Sequence, residues 1–94
     1  MKLGFEWDDE KAKANFKKHR VSFEEATTVF TDPFSVTIPD PKHSADEQRY
    51  VDIGNSDKGR ALVVVYAERG SNIRIISCRK ATPSERMLYE EGNG

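Results

Sequence analysis

At 94 residues the chain has room for one domain, residues 1–94, near the small end of what folds alone. Charged residues are 33% of it and apolar residues 36%, which excludes a disordered chain and leaves a modest core beneath a heavily solvated surface. A net charge of −1 argues against long-range capture of a nucleic-acid duplex, and no apolar run nears the roughly 18 residues of a membrane span.

Leu3 to Trp7 alternates and reads as a short strand. Asp8 or Asp9 then caps a helix through about His19, with acids in its first turn and Lys17, Lys18 and His19 in its last, both complementing the helix dipole. Ala12 and Phe16, one turn apart, make a narrow apolar stripe. A second helix follows, where Ser22 and Glu25 form a capping box and Val21 staples onto Ala26. Phe23, Ala26 and Val29 or Phe30 make its buried face, and Asp32-Pro33 ends it.

Phe34 to Ile38 reads as a strand, and residues 39–48 form the longest irregular stretch, a kind of loop that more often binds or reacts than idles. A meander follows: Arg49 to Gly54, Arg60 to Glu68, and Asn72 to Lys80. Leu62 to Tyr66 is apolar on both faces and should be a central strand. A last helix runs from Pro83 to about Glu91. The order β-α-α-β-β-β-β-α predicts an α+β domain with an antiparallel sheet, an N-terminal helical hairpin and a C-terminal helix.

Cys78 is the only cysteine, so no internal disulfide forms. Its place among Ile and Ser reads as an inert buried thiol. No signal peptide opens the sequence, and a reducing cytoplasm is the expected setting. Two distant histidines and one mid-strand cysteine give no metal-ligand spacing, and no cofactor is expected.

Charge is unevenly spread. Residues 11–20 carry Lys11, Lys13, Lys17, Lys18 and Arg20 without an acid. Residues 58–80 carry six cations against Glu68 alone. The last strand stops at Arg79-Lys80 and turns directly into a helix start, where Thr82, Pro83 and Glu85 spell a capping box with proline at the first helical position. Strict alternation puts Arg79 on the side of Ile73, Ile75 and Ser77, and Lys80 on the side of Arg74 and Ile76. Cations at a strand end beside a helix N-terminus suit an anion, with phosphate the leading candidate.

Several stretches in order carry a resemblance. They are Phe5-Glu6-Trp7-Asp8, the basic helix ending in Lys18-His19-Arg20-Val21-Ser22-Phe23, Val29-Phe30-Thr31-Asp32-Pro33, His43-Ser44-Ala45-Asp46-Glu47, and Ile73 through Arg86. Together they resemble the BrnT toxins of bacterial type II toxin–antitoxin systems over nearly the whole chain. Arg20 departs from the glycine frequent at that position, which puts only that turn in doubt. The resemblance implies a RelE-like fold and metal-independent RNA cleavage that arrests translation. It also implies neutralisation by a ribbon-helix-helix antitoxin, BrnA-like, in a hetero-oligomer that reaches operator DNA only through that partner.

Metal-free RNA cleavage uses the 2′-hydroxyl as internal nucleophile, so the protein must supply a base, an acid and cations for the phosphoryl oxygens. Arg79 is the first candidate phosphate clamp, since a guanidinium fork matches two phosphate oxygens. A salt bridge to Glu85 or Glu90 is its competing role. Lys80 stands beside it, and Arg60, opening the central strand, is placed to reach the same patch. His43, in the polar loop, is the natural acid or base near neutral pH, unless it caps the loop or faces the antitoxin; His19 reads as a helix-end cap. Lys11, Lys17, Lys18 and Arg74 are candidate RNA contacts, and Trp7 a stacking one. Tyr66 is a weaker stacking candidate, and Tyr89 reads as packing. The alternative to a nuclease is a non-catalytic module that holds an acidic protein segment on the same basic surface.

Overall fold

The computed structural model describes residues 4–40 and 48–92. A five-stranded sheet is flanked by helices in the order β1 (Gly4–Glu6), α1 (Asp9–His19), α2 (Phe23–Thr28), a 3-10 turn (Val29–Thr31), β2 (Val36–Pro39), β3 (Arg49–Asn55), β4 (Ala61–Arg69), β5 (Asn72–Lys80) and α3 (Pro83–Glu91). The strand order is β1-β5-β4-β3-β2. The expectation of an antiparallel sheet is corrected at one edge, where β1 runs parallel to β5 with Phe5 opposite Ile73. The other three pairings are antiparallel. A parallel edge follows from connectivity: the helical hairpin carries the chain across a sheet face before the meander begins.

The helix starts are chemical. Asp8 Oδ1 accepts the N–H groups of Glu10 at 2.8 Å and Lys11 at 3.1 Å, filling two donors that helix geometry leaves without partners. Arg20 closes α1 in the left-handed region, at φ 59° and ψ 31°, and its N–H reaches Phe16 O. The turn therefore forms with arginine where glycine is the easier residue. Ser22 Oγ accepts Glu25 N–H at 3.0 Å, while the Glu25 side chain turns away to Arg60 and Ser56.

The main core lies between the sheet and the α1–α2 hairpin. Val21, Phe23, Ala26 and Val29 meet Leu62, Val64, Tyr66, Ile73, Ile75 and Cys78. Burying each large side chain of this set stabilises the fold by roughly 1.5–3 kcal/mol. Ile53 and Val63, paired across β3 and β4, are buried on the opposite face.

One polar residue joins the layers. Asn15 is only 8% exposed; its amide donates to Val21 O at 3.1 Å and to Cys78 O at 2.8 Å, and its oxygen accepts Cys78 N–H at 3.1 Å. Phe16, one of the two residues of the narrow apolar stripe expected on α1, is 45% exposed. A helix beginning at Asp9 and held down by Asn15 turns Phe16 outward.

A bulge corrects the alternation expected of β5. Val65 pairs with Ser77 but Tyr66 with Ile75, so Ile76 is the extra residue. Downstream of it the phase reverses. Cys78 joins Ile73 and Ile75 in the core, and Arg79, opposite Val63, lies on the other face. Lys80, opposite Leu62, is the exposed member of the pair.

Candidate functional site

At the end of β5 the chain passes through Ala81 into the cap of α3. Thr82 Oγ1 accepts Glu85 N–H at 3.2 Å, and Glu85 Oε1 accepts Thr82 N–H at 2.8 Å, so the box read from the sequence is complete. The same carboxylate takes Arg79 end-on, with Nη1 to Oε1 and Nη2 to Oε2 both at 2.7 Å. Arg79, aided by the Thr82 N–H, holds the Glu85 carboxyl down at about 2. The fork offered to a phosphate is thus occupied, and Glu85 rather than Glu90 is the residue that occupies it.

Arg60 is engaged in the same way on another element. Its Nε donates to Glu25 Oε2 at 3.0 Å, its Nη2 donates to Glu25 Oε1, and Nη2 also reaches Arg20 O at 3.3 Å. Ser56 Oγ–H donates to Glu25 Oε2 at 2.6 Å. The Glu25 carboxyl is pulled below its usual range, chiefly by the Arg60 hydrogen bond against the opposing effect of burial. Arg74 pairs across the β1–β5 edge with Glu6 at 3.4 Å.

The expectation that guanidinium groups from adjacent strands converge on one phosphate is therefore corrected. Arg60 turns to α2, Arg79 to α3 and Arg74 to β1, each to its own carboxylate. The sequence could not show this, because the phase of β5 hinges on the bulge and Glu25 reads as a cap partner for Ser22.

Lys80 keeps an exposed position at the strand end, without an ion pair among the described residues. Lys11, Lys17 and Lys18 are exposed along α1. His43 lies outside the described residues, as do Ser44, Asp46 and Glu47. His19 is half-buried in the last turn of α1. Tyr66 is not a stacking platform: it is 7% exposed, with its ring stacked on Tyr50 at 5.5 Å and edge-on to Phe30 at 4.9 Å. Burial, with the charge of Asp52, pushes its phenol up to about 12. Tyr89 does more than pack, since its hydroxyl donates to Asp32 Oδ2 at 2.7 Å.

Trp7 and the basic helix do meet. An open pocket of about 520 Å³ lies where β1 enters α1 and α1 meets α2. Trp7, Phe16 and Phe23 supply its aromatic lining; Lys13, Lys17 and Arg20 supply cations, against Asp9 and Glu24. Trp7 sits edge-on to Phe23 at 5.9 Å, and the Arg20 guanidinium lies 5.8 Å from the centre of the Phe16 ring. From the sequence Phe16 reads as part of an apolar stripe, and Lys13 and Arg20 as members of a basic segment, none of them as a site residue. The available signal was a lone aromatic in a lysine-rich helix, closed by arginine where glycine is favoured.

Among the described residues no cluster of three His, Cys, Asp or Glu side chains is arranged to hold a metal ion. None of their helices is long and apolar enough to cross a membrane.

Residues 7–85 match the family model described as "Ribonuclease toxin, BrnT, of type II toxin-antitoxin system". The fold is similar to the crystal structure of the Brucella abortus ribonuclease toxin BrnT, with a TM-score of 0.68 at 24% identity over 86% of this chain and 99% of that one. Among curated proteins the chain has no match.

Proposed function

Because the chain belongs to the BrnT family of ribonuclease toxins of type II toxin–antitoxin systems, we propose that it cleaves RNA without a metal, arrests translation, and is held inactive by a ribbon-helix-helix antitoxin. The family match over residues 7–85 carries this reading. In it the 2′-hydroxyl attacks the adjacent phosphorus, and the protein positions the diester and supplies charge and protons. Lys80, exposed at the end of β5, contacts the scissile phosphate. Arg79 joins it once the phosphate competes with Glu85 for the guanidinium fork, an exchange of one anion for another. Arg60 positions the β4 end through Glu25, and His43 is the proposed acid or base. Lys11, Lys17, Lys18 and Arg74 serve the RNA backbone.

One observation favours a second reading. The three arginines that would grip a phosphate are each satisfied by a carboxylate, as in a module that binds a protein partner and cleaves nothing. Incubating purified chain with RNA in EDTA separates the two. Cleavage is the expected result, with growth arrest when the chain is induced alone in bacteria. Intact RNA and unaffected growth together reject the nuclease. Lys80→Ala should lower cleavage by about a hundredfold if its ammonium meets charge developing in the transition state.

A further inference from the structure

Where α1 ends, the chain accepts a backbone conformation that its side chain does not favour. Arg20 is the one non-glycine described residue at positive φ, 59°. Glycine adopts this conformation without steric penalty, so an arginine there asks what its side chain does. The guanidinium lies over Phe16, a ring left 45% exposed on a helix otherwise rich in lysine. Both residues line the pocket that also holds Trp7, Lys13 and Lys17. An exposed guanidinium on an exposed ring is a stacking surface with one side open. Cations around it outnumber acids by three to two.

We propose that this pocket receives one unstacked base of single-stranded RNA, with the Phe16 ring and the Arg20 guanidinium as stacking partners and Lys13 and Lys17 on the flanking phosphates. Splayed bases are recognised in this way, by aromatic and guanidinium planes beside ammonium groups. The site lies on the α1 surface, apart from the Arg79–Glu85 pair on the opposite face of the sheet. It therefore positions substrate and does no chemistry. The choice of RNA as ligand rests on the ribonuclease reading above.

Trp7 is the only tryptophan and lines the pocket, so its fluorescence reports occupancy directly. The probe is a short 2′-O-methyl oligoribonucleotide, which lacks the attacking hydroxyl and stays intact on the full-length chain. Quenching of Trp7 on titration is expected, weakened about tenfold by Arg20→Gly and by Phe16→Ala. Arg20→Gly should leave the melting temperature unchanged or higher, because glycine relieves the backbone there, so a lost affinity cannot be put down to unfolding. Lys58→Ala, on the β3–β4 turn, controls for charge alone and should weaken binding far less. Unmoved Trp7 fluorescence, unchanged affinity in both pocket variants, or an equal loss in Lys58→Ala would each overturn the proposal. So would loss of antitoxin binding, with RNA binding intact, in Arg20→Gly. Base binding by a wild-type chain that leaves natural RNA uncut would uphold the pocket and reject only the nuclease.

Discussion

Arg79 and Glu85 meet through two parallel hydrogen bonds of 2.7 Å, and the same carboxylate closes the first turn of α3 on Thr82. One glutamate thus couples the end of the sheet to the start of a helix that buries none of its residues fully. The folded carboxyl sits at about 2, below its ordinary 4.5, chiefly through the Arg79 hydrogen bond. A depressed carboxyl stabilises the fold fully above its unfolded value, and that contribution is lost as pH falls through the folded one. Stability should therefore drop as pH falls from about 4.5 to about 2. Glu85→Gln should flatten that part of the profile and lower neutral stability by about 0.5–1 kcal/mol, as for a part-exposed ion pair, because glutamine still closes the capping box. Urea midpoints measured across this pH range check both.

Glu25 and Arg60 form the more deeply placed pair, with side chains 2% and 31% exposed. Removing the arginine strands a buried carboxylate with Ser56 as its remaining side-chain donor. Arg60→Met is expected to lower stability by about 2–3 kcal/mol, below the full range for buried pairs because the guanidinium is partly wet. In Arg60→Met/Glu25→Leu no charge is left stranded, and much of the loss should return. A double-mutant cycle by chemical denaturation measures it. Additive losses would show that the two side chains do not act as a pair.

Asn15 is the only described tie of its kind between α1 and β5, with three hydrogen bonds made by one amide. Asn15→Ala leaves Val21 O, Cys78 O and Cys78 N–H without that partner in a buried place, and is expected to lower stability by about 2–4 kcal/mol. Hydrogen exchange should locate the change, with the Cys78 amide losing protection first.

Cys78 is fully buried, and burial pushes its thiol up to about 12. The thiolate is the reactive form. Labelling by a disulfide reagent at neutral pH should therefore proceed only at the rate of global unfolding, and rise in step with it in denaturant. Fast labelling of the native chain would contradict this placement.

The helix starts were legible because capping is local chemistry. Asp8, Ser22 and Thr82 each offer a side-chain oxygen to an N–H two or three residues on, and all three cap as expected. The strand Asn72–Lys80 was legible from its apolar run and flanking turns. What escaped the sequence depends on contacts distant along the chain. Ala12 and Phe16 obey helical spacing, yet spacing alone does not say which side of a short basic helix is held down; Asn15, a polar residue, decides it. Glu25 satisfies the pattern of a capping box, but Arg60, 35 positions away, competes successfully for its carboxylate. For Arg79 the sequence offered Glu85 and Glu90, and only the cap geometry of α3 chooses between them. The parallel course of β1 could not be read from a three-residue strand whose neighbour, β5, is the last strand along the chain.

The single residue inserted at Ile76 has a consequence reaching beyond β5. Were all nine residues of β5 to run in strict alternation, the thiol of Cys78 would turn to the face of Val63 and the guanidinium of Arg79 into the core beneath α1 and α2. Removing Ile76 itself would leave plain alternation with Cys78 still inward and Arg79 still outward, so β5 should tolerate shortening better there than at either neighbour, where the same loss with the bulge kept reverses every side chain beyond it.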